Sequence, residues 1–335
     1  FRQSAGQEGT VGMPLPRKFR KAAIEATATS GGFFRDFDRH SAVHFQRGST
    51  LIVTFDNMKS RDMPVPRYPW GVEFVARQGH SHLGVMMKRR NDWFRHRQLC
   101  DFFDELRDSD FFDRFDNVVF YGSSMGGYGA LTYASACPRA RAIAFSPQTT
   151  LSPALVPWEH RYDNARQRGD WGEPRYADAA VTTHHLREAL VFYDPYMPED
   201  RAHADRLTAR GVSHLRCPFV GHKIPRYLAF WGLLGTVVQA AIDGTLTDAE
   251  FFRMIRVRRD HKSYVRQVLA RAVETGHAPL ARRALEGFAS RRPDLPAERL
   301  ARQMGLGSRA AVTRARRGSD DQPPAGTVSH RDTDG

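Results

Sequence analysis

From about Thr50 to Tyr193, short apolar runs alternate with longer stretches of helical spacing. That alternation is the habit of a parallel sheet joined by crossover helices. Leu51–Phe55 reads as a buried strand ending at the turn residues Asp56 and Asn57. A helix is predicted over Trp70–Arg77, a strand over His82–Met87, and an amphipathic helix over Trp93–Arg107 that turns Leu99, Phe102, Phe103 and Leu106 to one side. Asn117–Tyr121 is the next strand and runs straight into Gly122; a helix over Gly126–Ala136 follows. Ala142–Phe145, Ala189–Tyr193 and His214–Cys217 complete the strands, with a helix over Arg201–Ala209 before the last and an apolar helix over 227–242 after it.

The expected fold class is α/β, a mostly parallel sheet with helices on both faces and a small C-terminal helical appendage. Residues 1–44 read as an N-terminal extension and 45–245 as the α/β domain. Between about 147 and 187 no period stands out, and Pro, Gly and aromatic residues dominate, which suits a lid or binding loop inserted in that domain. Past Thr245 the pattern is helical over Asp248–Val257, Tyr264–Thr275, Pro279–Ser290 and Pro296–Gln303, so 246–304 is the appendage. Residues 305–335 offer little to bury and are expected to be a disordered basic tail.

Composition narrows the classes. A chain of 335 residues that is 41% hydrophobic has ample material for a sizeable core, which excludes a disordered or collagen-like protein. Cys100, Cys137 and Cys217 are far apart and form no CxxC pair, so neither a structural zinc site, a disulfide framework nor a thiol redox pair is expected. The longest apolar stretch, 227–242, is short for a membrane span and better suits a buried helix. With no signal-peptide layout at the start, the expected location is cytoplasmic. The chain opens on Phe1, and Met13 is expected to lie nearer the natural start. Residues 251–335 hold 18 Lys and Arg against 9 Asp and Glu, most of the net charge of +13. Such a segment can bind nucleic acid or an anionic surface through 251–317, but no aromatic interleaving or known motif accompanies it, and a solvated helical face explains it as well.

The strongest chemical signal is Gly122-Ser-Ser124-Met-Gly126, a G-x-S-x-G between a predicted strand and a predicted helix. A sharp turn there lifts the Ser124 hydroxyl above the sheet, small residues at 122 and 126 avoid a backbone collision, and the Met125 N–H opens the helix as an oxyanion donor. Residues 122–131, GSSMGGYGAL, resemble the elbow of the α/β-hydrolase superfamily, particularly its esterase-like members.

That resemblance implies a Ser–acid–His triad in chain order and an acyl-serine intermediate. His222 sits in the loop after the last strand and is the expected general base. Asp194 and Asp200 both lie after the preceding strand. Asp194 directly ends it and is the favoured acid, while Asp200 is placed like a helix N-cap and stays the alternative. The second oxyanion donor falls by resemblance on the Phe55–Asp56–Asn57 turn, at Asn57, although the usual His-Gly is missing there. Ser146 and Gln148, at a strand end on the same edge, and Trp158 and Arg161, in the insertion, are substrate-pocket candidates. No metal or nucleotide cofactor pattern is present and no cofactor is expected. The expected activity is hydrolysis of an ester, thioester or amide of an acyl or small-molecule substrate, with acyl transfer available to the same residues. The alternative is a catalytically inactive scaffold that binds through its lid and basic helices.

Overall fold

The computed structural model describes residues 17–58, 67–88, 92–294 and 297–306. The expected start at Met13 and the tail from residue 307 lie outside them. One sheet holds eight strands: β1 (Phe33–Asp36), β2 (His40–Phe45), β3 (Thr50–Phe55), β4 (Ser81–Met87), β5 (Asn117–Ser123), β6 (Arg141–Phe145), β7 (Glu188–Tyr193) and β8 (Val212–Arg216). Their order is β1-β2-β4-β3-β5-β6-β7-β8. Only the β1–β2 and β2–β4 pairs are antiparallel.

Helix α1 (Arg17–Ser30) precedes β1; α2 (Val72–Arg77) and α3 (Arg97–Asp108) flank β4; α4 (Met125–Tyr133) follows β5. The insertion between β6 and β7 carries the short α5 (Asp163–Arg166) and α6 (Ala179–Thr182). Then come α7 (Pro198–Asp205) before β8, and α8 (Ile224–Phe230), α9 (Leu234–Asp243) and α10 (Asp248–Met254) after it.

Alternation along the strands separates two faces. Ala42, Leu83, Val85, Val118 and Phe120 join the main core with α3 and α4, whereas Val43, Phe45 and Met86 pack with Ala23 of α1. Under α4 the rings of Phe55, Phe103 and Tyr133 stack at 5.7–5.9 Å from Phe55 and 4.5 Å from one another. Each such ring contributes about 1.5–3 kcal/mol when fully buried.

Three boundaries differ from expectation, each for a physical reason. Strands β1 and β2 place residues 33–45 in the sheet, so 1–44 is not an extension outside it. His40, Ser41 and His44 interrupt the apolar run of β2, yet all six of its residues are buried. His40 is compensated by Asp92, 2.9 Å from its Nε2. The helix expected over 227–242 is split into α8 and α9, because Gly232 at φ 72° turns the chain. The compact units are 1–255 and 256–335, and the first extends beyond 245 because α10 sets Phe251 edge-on against Phe192 of β7, 5.1 Å away.

The second unit comprises α11 (Lys262–Glu274), α12 (Ala278–Arg291) and α13 (Ala297–Gln303) around Val265, Leu269, Leu285, Phe288 and Leu300. Its arginines 266, 271, 282, 283 and 299 are exposed. Among the described residues no helix is long and apolar enough to cross a membrane.

Two buried histidines give the fold a pH signature. Burial, aided by Arg114 and Arg47, pushes His44 down to about 4 from 6.5; burial, aided by Arg47 and His44, pushes His82 down to about 3. Both fold neutral, so the unfolded chain takes up their protons first as pH falls. Stability is therefore full above about pH 6.5 and declines below it by about 1.4 kcal/mol per pH unit for each site until the folded value is reached. Denaturant unfolding between about pH 7 and pH 5 should show that decline. His44→Phe, which fits between Phe33 and Phe111 (each 5.1 Å from His44), should remove part of the slope. A midpoint constant over that range contradicts the assignment.

Candidate active site

Ser124 joins β5 to α4 with φ 55° and ψ −121°, a backbone region that residues with a Cβ rarely enter. The turn is too tight for larger neighbours. A Cβ on Gly122 would stand 2.0 Å from Gly126 O, and one on Gly126 would stand 2.8 Å from Phe55 O. The Ser124 N–H donates to Phe145 O of β6 at 2.8 Å, and the Tyr128 N–H donates back to Ser124 O at 3.0 Å. All nine residues of α4 are buried, so the turn is clamped from behind.

His222 follows β8 on a short loop. Its Nε2 accepts the Ser124 hydroxyl at 2.9 Å. Its Nδ1–H donates to Asp200, at 2.8 Å to Oδ2 and 3.0 Å to Oδ1. Asp200 is wholly buried and His222 is one-quarter exposed.

The favoured pairing of His222 with Asp194 is therefore corrected. Asp194 Oδ1 accepts the N–H groups of Tyr196 (2.9 Å) and Phe219 (3.1 Å), and Oδ2 those of Val220 (2.8 Å) and Gly221 (2.6 Å). Its carboxylate is spent on shaping the loop that carries His222. The N-cap reading of Asp200 also fails. The cap position is Met197 and Pro198 opens α7, so Asp200 is the third helical residue, and its carboxylate faces the imidazole.

A second carboxylate supports the first. Arg161 donates to Asp200 Oδ1 at 2.7 Å and to Glu159 Oε2 at 2.6 Å. Glu159 Oε2 also accepts from His203 Nε2 at 3.1 Å, while His203 Nδ1 accepts the Thr149 N–H at 3.1 Å, which fixes that ring as the Nε2–H tautomer. Burial opposes ionisation of both acids, but hydrogen bonds and charge from His222 and Arg161 outweigh it at Asp200 and hold its pKa below the usual range. At Glu159 burial is likewise outweighed, by His203 and Arg161, and the value falls to about 2.

The oxyanion candidates lie at the elbow. Met125 opens α4, and the N–H of a first helical residue has no acceptor within the helix. Asn57 follows β3, whose end packs against Gly126. The adjacent Asp56 is turned away from the elbow. Its N–H donates to Val85 O at 3.1 Å, and its carboxylate accepts from Arg67 at 2.6 Å and from the Met87 N–H at 3.0 Å.

The pocket candidates divide. Gln148 is buried, with Nε2 3.5 Å from both Ser146 O and the Tyr162 hydroxyl. Ser146 is held at φ 45° and donates its N–H to Phe192 O at 2.7 Å. Trp158 lies against the His203 ring at 4.6 Å, and Arg161 is committed to the carboxylates of Asp200 and Glu159, so both pack behind the Asp200–His222 pair. The insertion expected as a lid is tied down: the buried Arg95 side chain donates to the carbonyls of Asp170, Glu173 and Arg175. The sequence gives Glu159 and Tyr162 no signal beyond a dense charged and aromatic cluster in a stretch without period, and His203 none beyond its place in the helix predicted over Arg201–Ala209.

The family described as "Putative esterase" matches residues 10–213. No curated protein matches. Among solved structures, the capsule O-acetyltransferase of Neisseria meningitidis serogroup A is 12% identical, with 61% of this chain and 93% of that chain covered and a TM-score of 0.41. The Pyrococcus furiosus esterase Pf2001 is 14% identical, with 64% and 92% covered and a TM-score of 0.40. Carboxylesterase CesB from Bacillus subtilis is 15% identical, with 68% and 98% covered and a TM-score of 0.40. The family match spans more than half of the chain, takes in strands β1–β7 and the elbow, and stops at the start of β8: this chain belongs to the esterase family.

Proposed function

We propose that Ser124, His222 and Asp200 are the catalytic triad and that the enzyme cleaves carboxylic esters through an acyl-Ser124 intermediate. The observation that carries this reading is the continuous chain from hydroxyl to imidazole to carboxylate, 2.9 and then 2.8 Å, ending on a serine at a strained elbow. Ser124 Oγ attacks the acyl carbon while its proton passes to His222 Nε2. The imidazolium is stabilised by Asp200, and the leaving oxygen takes the proton as its bond to carbon breaks. Water then repeats the sequence on the acyl-enzyme; another acceptor at that step gives acyl transfer instead. Met125 and Asn57 N–H groups are the oxyanion donors in this reading. An inert scaffold would have no need to keep three distant segments at these distances. The three buried free thiols support a reducing, cytoplasmic setting.

Hydrolysis of short-chain p-nitrophenyl esters tests the assignment. Ser124→Ala should lower turnover by several orders of magnitude, and Asp200→Asn should lower kcat by up to about ten-thousand-fold while the fold persists by circular dichroism. A mutant pair with wild-type rates contradicts the triad.

Asp194→Asn should behave differently. It leaves buried loop N–H groups short of an acceptor, at about 1–3 kcal/mol each, so its main effect is a lower melting temperature. A catalytic collapse in Asp194→Asn at unchanged stability, with Asp200→Asn active, would restore the original ordering of the two acids.

A further inference from the structure

The Tyr162 hydroxyl lies at the reacting end of the triad without belonging to it. It is 3.5 Å from His222 Nε2, the nitrogen that accepts the Ser124 hydroxyl. Gln148 Nε2 approaches the same phenol oxygen at 3.5 Å from the buried side. An amide N–H directed at the oxygen leaves the phenolic proton for the serine and imidazole side.

The ring is held for this position. One neighbour is Trp93, fully buried, whose centroid is 4.6 Å from the Tyr162 ring. Trp93 and Phe94 adopt φ 50° and 56°, and the turn is secured by the Phe94 N–H donating to Asp92 Oδ1 at 3.0 Å and the Arg95 N–H donating to Asp92 O at 3.0 Å. The Arg161 guanidinium lies 5.3 Å from the Tyr162 ring centre while gripping Asp200. Tyr162 is thus coupled to the triad acid through its sequence neighbour. Burial raises its pKa, so the phenol keeps its proton at neutral pH.

We propose that Tyr162 is a further catalytic residue, a hydrogen-bond donor to the ester's leaving oxygen and, in the second half-reaction, to the attacking oxygen. The proposal rests on the triad reading above. Two groups 3.5 Å apart can both reach one oxygen at about 3 Å, and His222 Nε2 is the atom that must hand its proton to the leaving oxygen. On collapse of the tetrahedral intermediate the carbon–oxygen bond breaks, its electron pair stays on the leaving oxygen, and that oxygen takes the proton from His222. Tyr162 keeps its own proton and donates a hydrogen bond to the negative charge that builds on the oxygen. In deacylation the same contact orients water while His222 removes its proton. A donor in this place matters most for leaving groups that carry charge poorly, which narrows the advantage of activated esters over esters of ordinary alcohols and phenols.

The test is a series of substituted phenyl acetates assayed for kcat/KM in the wild type and in Tyr162→Phe, which retains the ring between Trp93 and Arg161. The variant should lose about tenfold or more on phenyl acetate and less than about threefold on p-nitrophenyl acetate, so that rate depends more steeply on leaving-group basicity. Its melting temperature and its labelling by a fluorophosphonate should match the wild type. A uniform loss across the series, or none, overturns the role of Tyr162. Undiminished hydrolysis by Ser124→Ala in the Tyr162-intact enzyme would instead overturn the triad reading beneath it.

Discussion

Ser124 occupies a backbone conformation that costs about 1–3 kcal/mol for a residue with a Cβ, and the surrounding fold is arranged to hold it there. The hold has three parts. Phe145 O takes the Ser124 N–H, the paired glycines let β5, α4 and the end of β3 close on one another, and α4 is buried along its whole length. Tyr128 of that helix donates its hydroxyl to Tyr176 O at 2.8 Å, which ties the elbow helix to the insertion between β6 and β7. The strand ends that converge here, those of β3, β5, β6, β7 and β8, belong to the parallel set that also includes β4, so their carboxyl ends meet on one edge. The antiparallel pair β1 and β2 widens the sheet, and His40 of β2 meets Asp92 at the base of the Trp93 turn.

Two aspartates six positions apart divide the work of presenting His222. Asp194 gathers the amides of 219–221 and fixes the loop through Phe219 at φ 61° and Gly221 at φ 72°; Asp200 meets the imidazole itself. Arg161 keeps Asp200 ionised in its buried place, and Glu159 balances Arg161 in turn. A buried acid with two partners is pinned in orientation, which the imidazole tautomer requires. The arrangement joins the insertion to the triad, since Glu159, Arg161 and Tyr162 all come from it.

Sequence carried much of this, unevenly. The elbow was legible because the G-x-S-x-G falls between a clear strand and a clear helix, and His222 because it follows the last strand. The choice between Asp194 and Asp200 was not, because strand-end position says nothing about backbone amides some 25 residues on. Contacts of that range are set by how β7 and β8 pair, from Ala189 opposite Val212 to Tyr193 opposite Arg216. Strand β2 hid behind His40, Ser41 and His44, which are buried despite their polar character: His40 lies against Asp92, and burial lowers the pKa of His44. Tyr162 was invisible for a third reason: its stretch has no period, and its position depends on Trp93 and Arg161, residues that only the fold brings together.

The account stands on Ser124 as the nucleophile. Treating the intact chain with a fluorophosphonate and mapping the adduct by peptide mass spectrometry tests that most directly. A single phosphonyl group on Ser124, absent from heat-denatured protein, is the result predicted here. An adduct on Ser123 or on another residue, or no adduct on the folded chain, would contradict it.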